Sequence, residues 1–220
     1  MSSLSQRCFP DSNLSDVRTL FIMESPGTKE LMCDYACVGE AGSIMSKHLR
    51  NGDSVLLGCR IKHGEEKRIA LFETFTFPLS ASPQYNGYTP FEEETTKLKI
   101  LDKLHSKDSR TDHYAAFQIF WNKPLFQDQK KDFLDGYKKE LVTFVQNLNN
   151  CAEIVICGFI AQFIFMQALN LNWAPYRRLF PVMPIFKPLL FFSNHPSVES
   201  YQKKWDYPQF HNNTTLAFHQ

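Results

Sequence analysis

A glutamate near the N-terminus and a histidine near the C-terminus each come shortly after an apolar run. Glu24 follows Thr19–Met23 and begins the sequence Glu-Ser-Pro-Gly, whereas His195 follows Leu189–Phe192 within Ser-Asn-His-Pro-Ser. Both positions are typical of polar loops at the ends of buried strands, and such loops converge on one crevice in α/β sheets. We therefore expect Glu24 and His195 to face one site, with a carboxylate and an imidazole available for proton transfer and hydrogen bonding.

Alternating apolar and amphipathic stretches predict the elements that hold these loops. Strands are predicted at 19–23, 153–157 and 186–192, and helices at 41–49, 128–149 and 160–169. Because strands alternate with helices, the pattern favours a parallel sheet covered on both faces. The predicted fold class is α/β, as a three-layer α/β/α sandwich with a short, mostly parallel central sheet.

The middle of the chain has weaker periodicity. Two apolar runs at 54–61 and 68–75 enclose a polar turn and predict a hairpin. Residues 78–112 contain several prolines and many charges, which indicates an irregular segment with one helix at 92–105. The aromatic run Tyr114–Trp121 predicts a further strand.

Length and composition are those of an ordinary globular protein. The chain has 220 residues, of which 43% are hydrophobic and 21% charged. We expect a single domain over 1–220, with a loose lead-in at 1–18 and an insertion at about 50–112. The formal net charge of +1 gives the whole molecule little attraction to nucleic acid, so DNA binding requires a local basic face.

Cysteine usage and hydropathy bound the environment. The longest apolar stretch, 154–169, is too short and too interrupted by polar residues to span a bilayer. None of the six cysteines forms a Cys-x-x-Cys pair, which is typical of reduced thiols. We expect a cytoplasmic monomer without a membrane partner, with no metal and no cofactor.

Two motifs resemble those of a known enzyme family. Glu24-Ser-Pro-Gly-Thr-Lys-Glu30 followed by Cys37-Val-Gly-Glu-Ala-Gly42 resembles the first motif of the uracil-DNA glycosylase superfamily. It is most similar to the thermostable iron–sulfur branch, which has the same spacing between Glu-Ala-Pro-Gly-x-x-Glu and Phe-Val-Gly-x-Ala-Gly. His195-Pro-Ser197 resembles the second motif, and 154–162 resembles the third strand with its following helix. The resemblance covers about half of the chain.

The resemblance implies a monofunctional DNA glycosylase that flips a base into a pocket and hydrolyses its N-glycosidic bond. Glu24 is then expected to position or activate water, and His195 to stabilise negative charge on the departing base. The family pattern also implies residues that line the base pocket, namely Pro26, Gly27 and Asn194. Tyr35 is a candidate to replace the base-stacking aromatic residue that is missing from the pattern, with ordinary packing as the alternative. A last group is expected to contact DNA: Gly39, Gly42, Ser43, Arg177, Ser197, Tyr201 and Lys203.

Departures from the family pattern alter the expected pocket. Cys37 stands where the family has a base-stacking Phe, so the pocket is expected to be wider than uracil needs. The strand-end Asn that reads the base in the iron–sulfur branch corresponds to Gln118, which we prefer because the following helix and strand come at family-like distances. Glu73 is the alternative, since a carboxylate can accept from a cytosine amino group. The cysteines that would bind an iron–sulfur cluster are missing at the corresponding positions.

These features lead to one hypothesis and two alternatives. We expect excision of a larger or modified pyrimidine, with a bulky modified cytosine of phage DNA as one such substrate. The first alternative is uracil removal in DNA repair. The second is a nucleic-acid-binding or partner-binding module without catalysis.

Overall fold

The computed structural model describes residues 4–10, 13–50, 52–79, 117, 121–122, 124–170, 188–193 and 195–196. The strands are β1 (Cys8–Phe9), β2 (Thr19–Met23), β3 (Ile69–Glu73), β4 (Glu153–Cys157) and β5 (Leu189–Ser193). The helices are α1 (Thr28–Cys33), α2 (Glu40–Leu49), α3 (Leu57–Lys62), α4 (Pro124–Asn147) and α5 (Phe159–Ala168). The fold is therefore mixed α/β.

The five strands form one mostly parallel sheet in the order β1-β3-β2-β4-β5. Strands β3, β2, β4 and β5 are parallel, and β1 pairs antiparallel with β3 at the edge. From β2 the chain continues to β3 on one side and later to β4 on the other. The strand order thus reverses between β2 and β4, and the carboxyl ends of these strands frame the crevice where α/β proteins bind ligands.

Side chains of the parallel strands alternate between two buried clusters. Leu20 and Ile22 of β2 belong to a cluster that also contains residues of α4 and α5. Phe21 and Met23 belong to a second cluster with residues of α2 and α3. Every residue of β2, β3 and β4 is buried. This is typical of parallel strands that are covered on both faces. The predicted strands and helices of this α/β core are confirmed, with ends shifted by a few residues.

The expected loose lead-in is wrong for the part of 1–18 that the structure describes. Cys8 and Phe9 pair with Phe72 and Leu71 of β3, and Leu4 donates its N–H to the Thr76 carbonyl at 2.7 Å. The physical reason is that β3 would otherwise expose an unpaired edge, which a short antiparallel strand satisfies.

The predicted hairpin at 54–75 is also wrong in its first half. Leu57–Lys62 is helix α3, with Leu57 and Ile61 buried one turn apart, and only Ile69–Glu73 is a strand. Over so few residues the apolar run is compatible with the period of a helix and with that of a strand, and packing against the sheet determines which of them forms. The predicted strand Tyr114–Trp121 fails where the structure describes it, because Phe117 and Trp121 are helical and their rings stack at 5.7 Å. The helix predicted at 92–105 lies outside the described residues.

Candidate active site

Glu24 is the first residue after β2 and lies at the reversal of the strand order. Its carboxyl oxygen Oε1 accepts a hydrogen bond of 3.0 Å from the backbone N–H of Ile160, in the first turn of α5. The N-terminus of a helix has unpaired N–H groups and a partial positive charge, both of which favour a carboxylate. Glu24 therefore caps a helix that lies 136 residues away in sequence.

The start of α5 leaves space for this carboxyl because the residue before the helix is a glycine. Gly158 has φ +92°, and a Cβ atom at this position would overlap Oε1 of Glu24. A glycine meets both requirements at once, since it has no side chain and tolerates a positive φ. Gly158 is thus a site residue, although the sequence pattern predicts only a turn there.

The environment of Glu24 changes its protonation. Part of the residue stays accessible, but the carboxyl group is surrounded by protein, and this burial raises its pKa to about 7 despite the opposing Ile160 N–H. A carboxyl with a pKa near 7 can exchange a proton with water at neutral pH. This is the range in which a general base is most effective.

His195 lies two residues beyond the end of β5 and is partly buried. Burial lowers its pKa to about 4, so the imidazole is neutral at pH 7 and has one N–H donor and one acceptor nitrogen. Only β4 separates β5 from β2, which places the two strand ends about 10 Å apart. The structure thus places Glu24 and His195 at the same end of the sheet, where the parallel strands have their carboxyl termini, as the sequence predicts.

A second carboxyl group lies at the end of the neighbouring strand. Glu73 is the last residue of β3 and is 2% exposed, and its Oε2 atom has no hydrogen-bond partner among the described residues. Burial raises the pKa of Glu73 well above its usual range, and the nearby Glu30 and Glu24 raise it further. The protonated form of Glu73 is therefore favoured, and this form can both donate and accept a hydrogen bond.

Glu30 joins this group, although it is not among the residues that the sequence predicts for the site. It is buried in α1, and its carboxyl oxygens lie against Gly27 and Gly39, the residues that precede α1 and α2. A Cβ would approach these oxygens to 2.9 Å at Gly27 and 2.6 Å at Gly39. The sequence signal that could have identified Glu30 as a site residue is its position at the end of the motif Glu-Ser-Pro-Gly-x-x-Glu.

Cys37 lies on the same face of the sheet as Glu73. It is 1% exposed, has φ +53°, and its Sγ is 3.8 Å from Sδ of Met45. Burial raises the pKa of the thiol, and the charges of Glu73 and Glu30 add to this effect. The structure therefore groups Cys37 with the two buried carboxyls.

Tyr35 is placed differently. Its ring packs against Phe9 of the edge strand with centroids 4.5 Å apart, and Nζ of Lys62 lies 5.5 Å from the ring centre. This is a packing role in the cluster beside β1, and a contact of Tyr35 with a base stays a prediction.

The other predicted site residues divide into two sets. Pro26 is buried, Gly27 is exposed, and Ser43 is partly buried within α2. The remaining predicted residues lie outside the described residues and stay predictions: Gln118, Arg177, Asn194, Ser197, Tyr201 and Lys203.

Gly42 shows that the motif glycines have packing roles in addition to any approach to DNA. A Cβ at Gly42 would overlap the backbone carbonyl of Cys37, so Gly42→Ala should destabilise the protein by roughly 2 kcal/mol or more despite alanine's better helix propensity. Gly136 in α4 has open space around it, and Gly136→Ala should stabilise by about 0.5–1 kcal/mol. Urea unfolding measures both changes, and equal effects would contradict the packing role.

The sequence matches no protein-family model and has no significant match among curated proteins. Within the described residues, no three His, Cys, Asp or Glu side chains are grouped so that they could hold a metal ion. In the same part of the chain, every helix is too short or too polar to cross a membrane.

Proposed function

We propose that the protein is a DNA glycosylase that flips out a modified pyrimidine and hydrolyses its N-glycosidic bond. The observation that carries the proposal is that Glu24, with a pKa of about 7, and neutral His195 both lie at the carboxyl ends of parallel strands that are separated by one strand, β4. The motif resemblance supports the same assignment. We further propose a three-layer α/β/α sandwich of the uracil-DNA glycosylase type, because helices pack on both faces of the sheet.

The two groups fit opposite sides of the scissile bond. As the bond between C1′ and the base nitrogen breaks, its electron pair moves to the base and the sugar gains oxocarbenium character. Water adds to C1′ and gives a proton to the Glu24 carboxylate. The neutral His195 donates its N–H to the base, whose negative charge it stabilises until solvent supplies a proton. The products are a free base and an abasic site.

Glu73 is the better-supported reader of the base. Gln118 lies outside the described residues, and no described contact supports it as the reader. Glu73 ends the strand next to Glu24 and has an unpartnered carboxyl oxygen among the described residues. A protonated carboxyl can donate to N3 of cytosine and accept from its amino group. This pairing is compatible with a cytosine-derived substrate, which is the one that we propose.

The size of the pocket can be tested at Cys37. Cys37→Phe should reduce excision of a bulky base more than excision of a small one, because the added ring would lie close to Glu73, where the base is proposed to bind. The ring also overpacks the core, so a loss of about 1–3 kcal/mol in stability is expected. Cys33→Phe is the matched control, since Cys33 is exposed at the end of α1. Excision of the bulky base at an unchanged rate by folded Cys37→Phe would remove the wide-pocket hypothesis.

Base release should rise with pH and level off above about pH 7. Glu24 must be ionised to accept a proton from water, and burial raises its pKa to about 7. His195, with a pKa of about 4, is neutral throughout this range. Single-turnover rates between about pH 5 and 9 should increase tenfold per pH unit on the acid side. A rate that falls over this interval would contradict the role of Glu24 as base.

The decisive test is abasic-site formation on a panel of DNAs. The panel contains uracil, a thymine mismatch, hydroxymethylcytosine and glucosylated hydroxymethylcytosine, each followed by alkali cleavage. Cleavage at a modified cytosine supports the proposal, and cleavage at uracil alone identifies a repair enzyme. Folded protein that cleaves none of them favours a binding module. A variant carrying Glu24→Ala and His195→Ala controls for contaminating activity.

A further inference from the structure

One turn of helix α5 contacts the segments that carry both proposed catalytic groups. The Ile160 N–H holds Glu24, as described above. The Gly158 N–H donates to the carbonyl of Ser193 at 2.9 Å, and Nε2 of Gln162 donates to the same carbonyl at 2.9 Å. Ser193 is the last residue of β5 and lies two positions before His195. The ends of β2 and β5 are thus tied to one helical turn.

Gln162 is unusual in its surroundings. It is 7% exposed, and its neighbours along the helix, Ala161 and Phe163, are apolar and buried. Its amide nitrogen also donates to the Ile156 carbonyl at 3.3 Å, so one NH₂ group donates hydrogen bonds to carbonyls on both β4 and β5. A buried amide that bridges two strand ends fixes their spacing, because moving either strand leaves a buried polar group unpaired.

We propose that Gln162 is a positioning residue that sets the place of His195 relative to Glu24. This role rests on the proposed function, in which His195 donates to the departing base. Gln162 acts through the backbone of Ser193 and does not touch the substrate. Because Ser193 also receives the Gly158 N–H, the chain that enters His195 is held at the same turn that holds Glu24.

The test compares Gln162→Met with Gln167→Met. Methionine keeps the length of the side chain and removes its donors, and Gln167 is an exposed glutamine at the end of the same helix. Loss of position should lower kcat roughly 10²-fold with little change in KM. The NMR titration of His195, assigned with His195→Gln, should move from about 4 toward 6.5 in folded Gln162→Met only. An unchanged titration and kcat in that variant would overturn the proposal.

Gln162→Glu keeps the proposal testable should the methionine variant not fold. A protonated carboxyl retains one donor for Ser193 and an ionised one retains none. The activity of this variant relative to wild type should therefore recover as the pH falls, and a constant ratio would count against positioning. The NMR titration needs no substrate. If the wild type releases no base, the proposed function fails while the placement of His195 is still measured.

Discussion

Glu24→Gln is expected to lower the rate of base release by about 10²- to 10⁴-fold while the protein stays folded. Glutamine has the shape of glutamate, and its oxygen can still accept from the Ile160 N–H. It cannot accept a proton from water, so only the chemical step is lost. Single-turnover excision measures this loss. Glu40→Gln is the control, because Glu40 is an exposed glutamate in the same motif region.

The same substitution should raise stability at neutral and alkaline pH. The folded-state pKa of Glu24, about 7, lies above the ordinary value of 4.5, so the folded protein binds this proton more tightly than the unfolded chain. The associated stability is present below about pH 4.5 and is lost as the pH rises through 7. Glu24→Gln removes that loss, which is on the order of 3 kcal/mol. Urea unfolding should show a gain at pH 8 and none at about pH 4. If the substitution changes the free energy of unfolding equally at both pH values, the carboxyl is not buried as described.

Gly158→Ala is expected to have the second large effect, on stability and activity together. The φ of +92° is unfavourable for alanine, and the added methyl group overlaps the Glu24 carboxyl. We expect a loss of roughly 2–4 kcal/mol in the free energy of unfolding. Displacement of Glu24 should lower base release about 10²-fold. Thermal or urea unfolding and single-turnover excision measure the two effects.

A matched variant separates backbone strain from the clash. Gly52 has φ +94°, and nothing lies within 4 Å of its ideal Cβ position, so Gly52→Ala shows the cost of the φ angle without the clash. In a Glu24→Ala background the overlap with the carboxyl is gone, and Gly158→Ala should then cost clearly less than it does in the wild type. A cost at Gly158 that is the same with and without the Glu24 carboxyl would show that the two residues are not in contact.

The two buried carboxyl groups at the carboxyl ends of β2 and β3 are unfavourable for folding at neutral pH. Glu24 and Glu73 are both held where burial opposes ionisation, and the charge of Glu24 further opposes the ionisation of Glu73. Neither burial improves folding at neutral pH. Groups kept in such surroundings cluster at functional sites, and this supports the assignment of the crevice between β2 and β4 as the active site.

Local pattern was sufficient for the parallel core and for the two strand-end groups. Strands such as Thr19–Met23 are buried on both faces and therefore appear as continuous apolar runs, and Glu24 marks the end of one of them. Long amphipathic stretches such as α4 keep their period over enough turns to be recognised. Alternation of these elements predicts a parallel sheet, and with it a shared edge for Glu24 and His195.

Short or long-range features required the folded chain. Leu57–Lys62 has too few residues to distinguish a helix from a strand, and it is helical because its apolar side packs on the sheet beside Cys37. The pairing of Cys8–Phe9 depends on an open edge of β3 that lies far along the sequence. The contacts of Glu24 with α5 and of Gln162 with Ser193 likewise join segments distant in sequence. The sequence pattern identifies the polar residues, but the strand order and the packing of the helices determine which of them are in contact.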